Sequence, residues 1–308
     1  RRLVARAAGG SALNLRWARA ALAIVLRHPS LWWVALRQAR VLAPTGCLVG
    51  DSLISTSRGL VRLRSLGDTV GSKWQDLDVE VATDEGPRQA TSFYVNGFEQ
   101  VVSIETGRGY RIQGTPTHRI KVVDPDGNWV WRRFAEIAEG DRVPLMLNGL
   151  VGEPQDVQLP PLGELHWTSD QRTGVPRTMT PELAELVGYF MGDGSLHAKG
   201  LRLCVSAEDR DVVAHLVALG RTLFSIDAHV AERKGYTEVA FHSVPLALWW
   251  EACGFAKLPP SAEHRGKGWV AHIPDAILHS NDREVYAAFI RGLFEADGTT
   301  SNGYVSWS

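Results

Sequence analysis

Leu186-Val-Gly-Tyr-Phe-Met-Gly-Asp-Gly194 and Ile290-Arg-Gly-Leu-Phe-Glu-Ala-Asp-Gly298 are two copies of one pattern. Gly188 aligns with Gly292, Gly192 with Ala296, and Asp193-Gly194 with Asp297-Gly298. Small residues four apart lie on one helix face, one turn above the other, and make a smooth stripe where two helices can touch backbone to backbone. The Asp-Gly pair then stops each helix. Packed together, the helices bring Asp193 and Asp297 out side by side at one end. Two converging carboxylates repel, whereas hard oxygen ligands around Mg²⁺ are stable and can position water against a phosphodiester. The repeat therefore predicts a metal nuclease site on Asp193 and Asp297, with Gly188, Gly192, Gly292 and Ala296 as the helix interface.

Around the repeat, residues 181–308 read as helix and strand in alternation. The expected order is helix from Pro181 to Met191, two strands from Ser195 to Ser206, helix from Asp209 to Phe224 and two strands from Ala228 to Val239. A helix from Pro245 to Cys253 follows, then a basic loop and helical stretches at Ile273 to Leu278 and Arg283 to Glu295. Ten residues follow the second nonamer, so a second subdomain starting near residue 271 is expected to be incomplete. Upstream, residues 148–178 carry Pro and Gly without periodicity and predict a linker. Residues 47–147 show short alternating runs, among them Val79-Glu-Val-Ala82, Gln100-Val-Val-Ser-Ile104, Tyr110-Arg-Ile112 and Arg119-Ile-Lys-Val-Val123, which predict an all-β module.

Composition bounds the rest. The 308 residues are 44% hydrophobic and 22% charged, as in folded globular proteins, and the length suits about two domains. The net charge of -1 hides a division, because residues 1–46 hold eight arginines and no acid. That segment predicts basic amphipathic helices, broken at Pro29, from a different protein context. The remaining residues are net acidic, which is weak ground for binding DNA. Three scattered cysteines exclude a disulfide framework and point to a reducing, cytoplasmic setting. The longest apolar run, Ala20 to Leu26, is far short of the roughly 20 residues of a membrane helix, so no membrane partner is expected.

A second chemistry opens the β module. Cys47 follows the small Gly46, so its thiol can attack the preceding carbonyl and convert the Gly46-Cys47 amide to a thioester. Farther on, Gly114-Thr-Pro-Thr-His118 offers Thr115 to hold that amide and His118 to protonate its nitrogen.

Both halves resemble known families. The two nonamers, with Ile273-Pro-Asp-Ala-Ile-Leu278, resemble the LAGLIDADG motifs of homing endonucleases of the two-copy, monomeric kind. Cys47-Leu-Val-Gly-Asp-Ser-Leu-Ile54 and Thr115-Pro-Thr-His118, with the stretch from Trp131 to Pro144, resemble the opening splicing blocks of inteins. The resemblance implies an α+β chain. Its parts are an N-extein tail (1–46), the N-terminal part of an all-β Hint splicing domain (47–147), a linker (148–180), one αββαββα subdomain (181–270) and the start of a second (271–308). It implies an N-to-S acyl shift at Cys47, assisted by Thr115 and His118, and Mg²⁺-dependent cleavage of a double-stranded DNA target by Asp193 and Asp297. Arg202, Arg233, Lys234, Arg265 and Lys267, with Arg221 and His264, are candidates to face DNA. Two departures stand out. Ala271-His272 occupies the place before Ile273-Pro274 where family members often carry lysine, and no closing His-Asn block occurs, so ligation is not expected of this chain alone. A DNA-binding protein without cleavage and a non-splicing autoprocessing domain are the alternative readings.

Overall fold

A computed structural model describes residues 46–147, 149–163, 172–260, 268–301 and 304–307. The helices expected before Gly46 lie outside the described residues, as do His264, Arg265 and Lys267. No described helix is long and apolar enough to cross a membrane. The chain is a mixture of helices and antiparallel strands that forms two compact units.

The first unit takes Arg62–Gln75 and Phe93–Leu147 together with the segment ending at Ser52. Two hairpins organise it. Strands β5 (Val102–Glu105) and β6 (Arg111–Gly114) pair antiparallel, as do β7 (Arg119–Val123) and β8 (Trp129–Arg133). Each turn is set by local chemistry. Gly109, with φ of 81°, closes the first by donating to the Thr106 carbonyl. In the second, the Asp124 carboxylate accepts from the Asn128 N–H at 2.8 Å. Phe134, just after β8, is buried, and its N–H donates to the His118 carbonyl at 2.8 Å.

The second unit takes Leu53–Val61, Asp76–Ser92 and everything from residue 148 onward. Its first two segments carry most of a sheet of order β2-β1-β3-β4, from β1 (Leu53–Thr56), β2 (Gly59–Arg62), β3 (Trp74–Val81) and β4 (Arg88–Tyr94). The sequence predicts a strand at Val79 to Ala82 but marks neither β1 nor β4, whose polar residues blur the two-residue period. The two units therefore do not follow chain order.

From residue 181 the order is α1 (Pro181–Asp193), β9 (Gly194–His197), β10 (Gly200–Ser206), α2 (Arg210–Phe224), β11 (His229–Glu232), β12 (Tyr236–His242) and α3 (Val244–Ala252). After it come α4 (Asp275–Leu278), α5 (Arg283–Asp297), β13 (Gly298–Ser301) and β14 (Tyr304–Trp307). The elements up to α5 sit close to where periodicity placed them, whereas β13 is not marked by the sequence and the short helix α4 begins at Asp275, after Pro274. Thr180 caps α1 by accepting from the Leu183 N–H, Pro181 occupies the first turn, and Asp282 caps α5 by accepting from Glu284 N–H. Strands β9 to β12 form an antiparallel sheet of order β11-β12-β10-β9. One sheet face buries Leu201, Leu203, Val239 and Phe241 against the helices, and Phe224, Trp249, Trp250 and Phe255 pack edge to face beside them.

Residues 148–178 are not a free linker where they are described. Leu159 N–H donates to the Arg177 carbonyl, Met179 N–H to that of Val157, and Leu159 and Met179 enter the core. Asn281, held at φ of 51°, donates from Nδ2 to the carbonyls of Val151 and Glu153. Apolar periodicity is absent because backbone pairing, not a buried helix face, fastens this stretch.

The two nonamers form the seam between α1 and α5. A methyl on Gly188 would lie 2.0 Å from the Phe289 carbonyl oxygen, and one on Gly292 would lie 2.0 Å from that of Glu185. The helices thus touch at the backbone, and only glycine fits at these two crossings. Gly292→Ala should lose about 2 kcal/mol of stability or more, because overpacking a backbone contact forces the helices apart. Urea denaturation measures this, and an unchanged midpoint would show that the helices do not meet there.

Candidate active site at the paired helix ends

Asp193 is the last residue of α1 and Asp297 the last of α5. The same geometry ends both helices. Gly194 N–H bonds the Phe190 carbonyl, Gly298 N–H bonds that of Phe294, and each glycine begins a strand. A methyl on Gly192 would lie 2.5 Å from Ala296 Cβ and 3.1 Å from Asp297 Oδ2, so the Asp297 carboxylate rests against α1. The repeat thus brings together Asp193, Asp297, Gly192 and Ala296.

Lys257 completes the group. It lies in the stretch after α3 and donates from Nζ to the Gly192 carbonyl. Its position follows from the fold that the Trp250–Phe255 contact anchors, including the bond from Trp250 Nε1 to the Phe255 carbonyl at 3.0 Å. No spacing pattern singles it out, because it is far in sequence from both aspartates.

The electrostatics are those of an acidic focus. Burial, and then the Asp297 charge, push the Asp193 carboxyl above the usual aspartate range, with Lys257 opposing. Burial pulls the Lys257 ammonium below the usual lysine range, with Asp297 and Asp193 opposing. Both helices also point their C-termini, the negative ends of their dipoles, at this place. Two carboxylates and two helix C-termini therefore face one ammonium.

A second polar group pins the helices higher up. Glu185 on α1 accepts from Arg291 of α5 at 2.6 Å and meets His215 of α2 at 2.8 Å. Burial pushes the Glu185 carboxyl up, but the bonds from Arg291 and His215 outweigh it and hold it below the usual range.

In the first unit, Gly46, Cys47, Thr115 and His118 also come together. Thr115 Oγ1 accepts from the Cys47 N–H at 2.9 Å, and the Thr115 N–H donates to the Cys47 carbonyl at 2.8 Å. A methyl on Gly46 would lie 2.1 Å from His118 Cα. The His118 ring stands edge-on to Phe134, and its enclosed Nδ1 has no hydrogen-bond partner. Burial, and then the Glu99 charge, push the Cys47 thiol up, which opposes thiolate formation.

The expected DNA-facing cations fare differently. Arg202 and Arg233 both pair with Glu238, at 3.3 and 3.4 Å, and Arg221 pairs with Asp227. Two of these cations share one carboxylate and the third has its own, so part of the charge that phosphate contacts would need is already engaged. Lys234 is exposed. Among the described residues, no group of three or more His, Cys, Asp or Glu side chains could hold a metal ion.

No family model matches the chain. It is similar to an A-type ATP synthase subunit of Pyrococcus abyssi, 23% identical over 82% of the chain and 25% of that protein. It is similar to the glutamine–fructose-6-phosphate aminotransferase of Methanocaldococcus jannaschii, 26% identical over 44% of the chain and 11% of that protein. With the replication factor C small subunit of Pyrococcus horikoshii it shares 25% identity over 69% of the chain and 23% of that protein. The chain thus spans at most about a quarter of these relatives' length. None bears the name of a splicing element or a homing endonuclease. On those names the resemblance to an intein with an inserted LAGLIDADG endonuclease is corrected, and with it the splicing, homing, DNA-binding and autoprocessing functions it implied. By name these relatives are enzymes or subunits of replication and ATP-synthesising assemblies.

The raised Asp193 has a consequence for stability. Its folded pKa exceeds its unfolded one, so ionisation at neutral pH costs stability, and the cost develops as pH rises through the folded value. Asp193→Asn should therefore raise the melting temperature at pH 7. The gain should shrink as pH falls below the ordinary aspartate range. Melting curves across pH check this, and a variant that melts lower than wild type at neutral pH would refute the assignment.

Proposed function

We propose that the paired helix ends form a divalent-cation site that hydrolyses a phosphate ester or anhydride. The observation that carries this reading is the meeting of Asp193 and Asp297 at two helix C-termini beside the Lys257 ammonium. Hard carboxylate oxygens are the donors Mg²⁺ takes, and it is usually held by one or two carboxylates, with waters and substrate phosphates filling the remaining positions. Asp193 and Asp297, meeting at the two helix ends, fit that demand. Bound there, Mg²⁺ would polarise a phosphoryl oxygen and lower the pKa of water.

The chain's own groups divide the remaining work. The aspartates hold the acidic focus that attracts the cation. Lys257 spends one of its three N–H donors on Gly192 and directs positive charge to the same place, where it offsets negative charge developing on a leaving oxygen. The rigid seam keeps the carboxylates from separating. In the reaction a water oxygen bonds to phosphorus, the bond from phosphorus to the leaving oxygen breaks, and the water proton passes to that oxygen. The relatives are named for unlike reactions, so the substrate class rests on this site. One of them is named for ATP, which makes a nucleoside triphosphate one compound to try.

The full chain is assayed with ATP and with bis(p-nitrophenyl) phosphate, in Mg²⁺ and in EDTA. Turnover of one of them should require Mg²⁺ and fall roughly 100-fold or more in Asp193→Asn, Asp297→Asn and Lys257→Ala. Mg²⁺ should also raise the melting temperature of wild type and not of Asp193→Asn. Turnover indifferent to Mg²⁺ and to the aspartates, or no Mg²⁺ effect on melting, would overturn the reading.

A further inference from the structure

The outer face of the β11-β12-β10-β9 sheet carries two histidines that the helix-end site does not use. β12 turns Val239 and Phe241 into the core, so His242, next in the alternation, faces outward. The register pairs His229 of β11 with Ala240, which puts His229 on that same outward face, diagonal to His242. Diagonal neighbours on paired strands are within reach of one another's ring side chains. The two imidazole centroids lie 5.8 Å apart with their planes inclined at 57°, and both residues are exposed. Across β10, His242 meets Gly200, which adds no side chain beside it.

That spacing is the one two imidazoles take on a single metal ion. With metal–nitrogen bonds of about 2.0–2.1 Å, at the tetrahedral angle or somewhat wider, two ring centroids stand roughly 5–6 Å apart. The rings need not be coplanar. The outer torsion of a histidine side chain is broad, so an exposed ring can turn either nitrogen toward an ion. Donor type then decides the class of ion. Imidazole suits Zn²⁺, Ni²⁺ and Cu²⁺, whereas Mg²⁺ takes carboxylate and water oxygens. The histidine pair therefore selects from a different set of ions than the aspartates at the helix ends.

We propose that His229 and His242 form a two-imidazole site for a divalent transition-metal ion of the Zn²⁺, Ni²⁺ and Cu²⁺ class. With two side-chain donors the ion keeps positions for water, so it is exchangeable. Its place in the fold gives it an effect. β11 is a four-residue strand at the edge of the sheet, held to β12 by a short ladder. An ion on both histidines joins the edge strand to its neighbour through a link outside that ladder, and ties the stability of the folded chain to the supply of metal.

Equilibrium dialysis of the full chain, without an added histidine tag, against NiCl₂ and CuCl₂ tests the site. It is run on wild type and in the Asp193→Asn background, so that an ion at the helix ends is not counted with it. Saturable binding is expected in both, with affinity falling roughly tenfold or more when His229→Gln or His242→Gln is added. In the Asp193→Asn background Ni²⁺ should raise the melting temperature, and it should not once either histidine is replaced. Because both side chains are exposed, the histidine variants should keep the wild-type circular dichroism spectrum. Absence of saturable Ni²⁺ or Cu²⁺ binding in the Asp193→Asn background, or binding and a melting shift that survive both histidine substitutions, would overturn the proposal.

Discussion

The second unit depends on one steric fact, that α1 and α5 meet where neither has a side chain. At Gly188 and Gly292 the backbone of one helix fills the space a methyl would need on the other. So close an approach leaves little room in the seam for anything but backbone. The core then forms on the outer flanks of the pair, where Leu183, Leu186, Tyr189 and Phe190 of α1 and Val285, Phe289 and Leu293 of α5 are buried.

That rigidity has an electrostatic consequence. Helices in register end together, so two dipoles of the same sign and two carboxylates occupy one place. Such a concentration of negative charge is costly, and burial, then the Asp297 charge, pushes the Asp193 carboxyl up. Lys257 relieves part of it at the expense of its own desolvation. Higher on the seam the Glu185–Arg291 and Glu185–His215 contacts join the same helices by compensated charge. One end of the pair is thus neutralised internally and the other is left to attract a cation.

The family resemblance of the short motifs and the comparisons over longer stretches differ in what they address. A nonamer with small residues four apart and a closing Asp-Gly describes how two helices pack and end, and the structure realises that geometry. It does not specify a substrate. The comparisons relate the chain to parts of proteins with unlike names, at identities of 23 to 26%. One sequence matched to a minor part of each cannot carry all of their different activities. Function has to be argued from the groups that meet at the site.

The sequence by itself determined the helices and strands between residues 181 and 297, because apolar period, capping residues and Asp-Gly stops all act within a few residues. It determined the meeting of Asp193 with Asp297 as well, because a repeated stripe implies a repeated contact. Thr115 and His118 were likewise marked beside Cys47 by short local patterns. Tertiary structure alone decided what depends on long-range packing. Lys257 reaches the aspartates only because α3 and the Trp250–Phe255 contact carry it there. Arg202 and Arg233 share the Glu238 carboxylate only because β10 and the turn before β12 bring them to it. Residues 148–178, without periodicity, gain their place through backbone bonds whose partners lie far along the chain. Local rules act over one or two turns of chain, whereas the charge a site presents is summed over every element that reaches it.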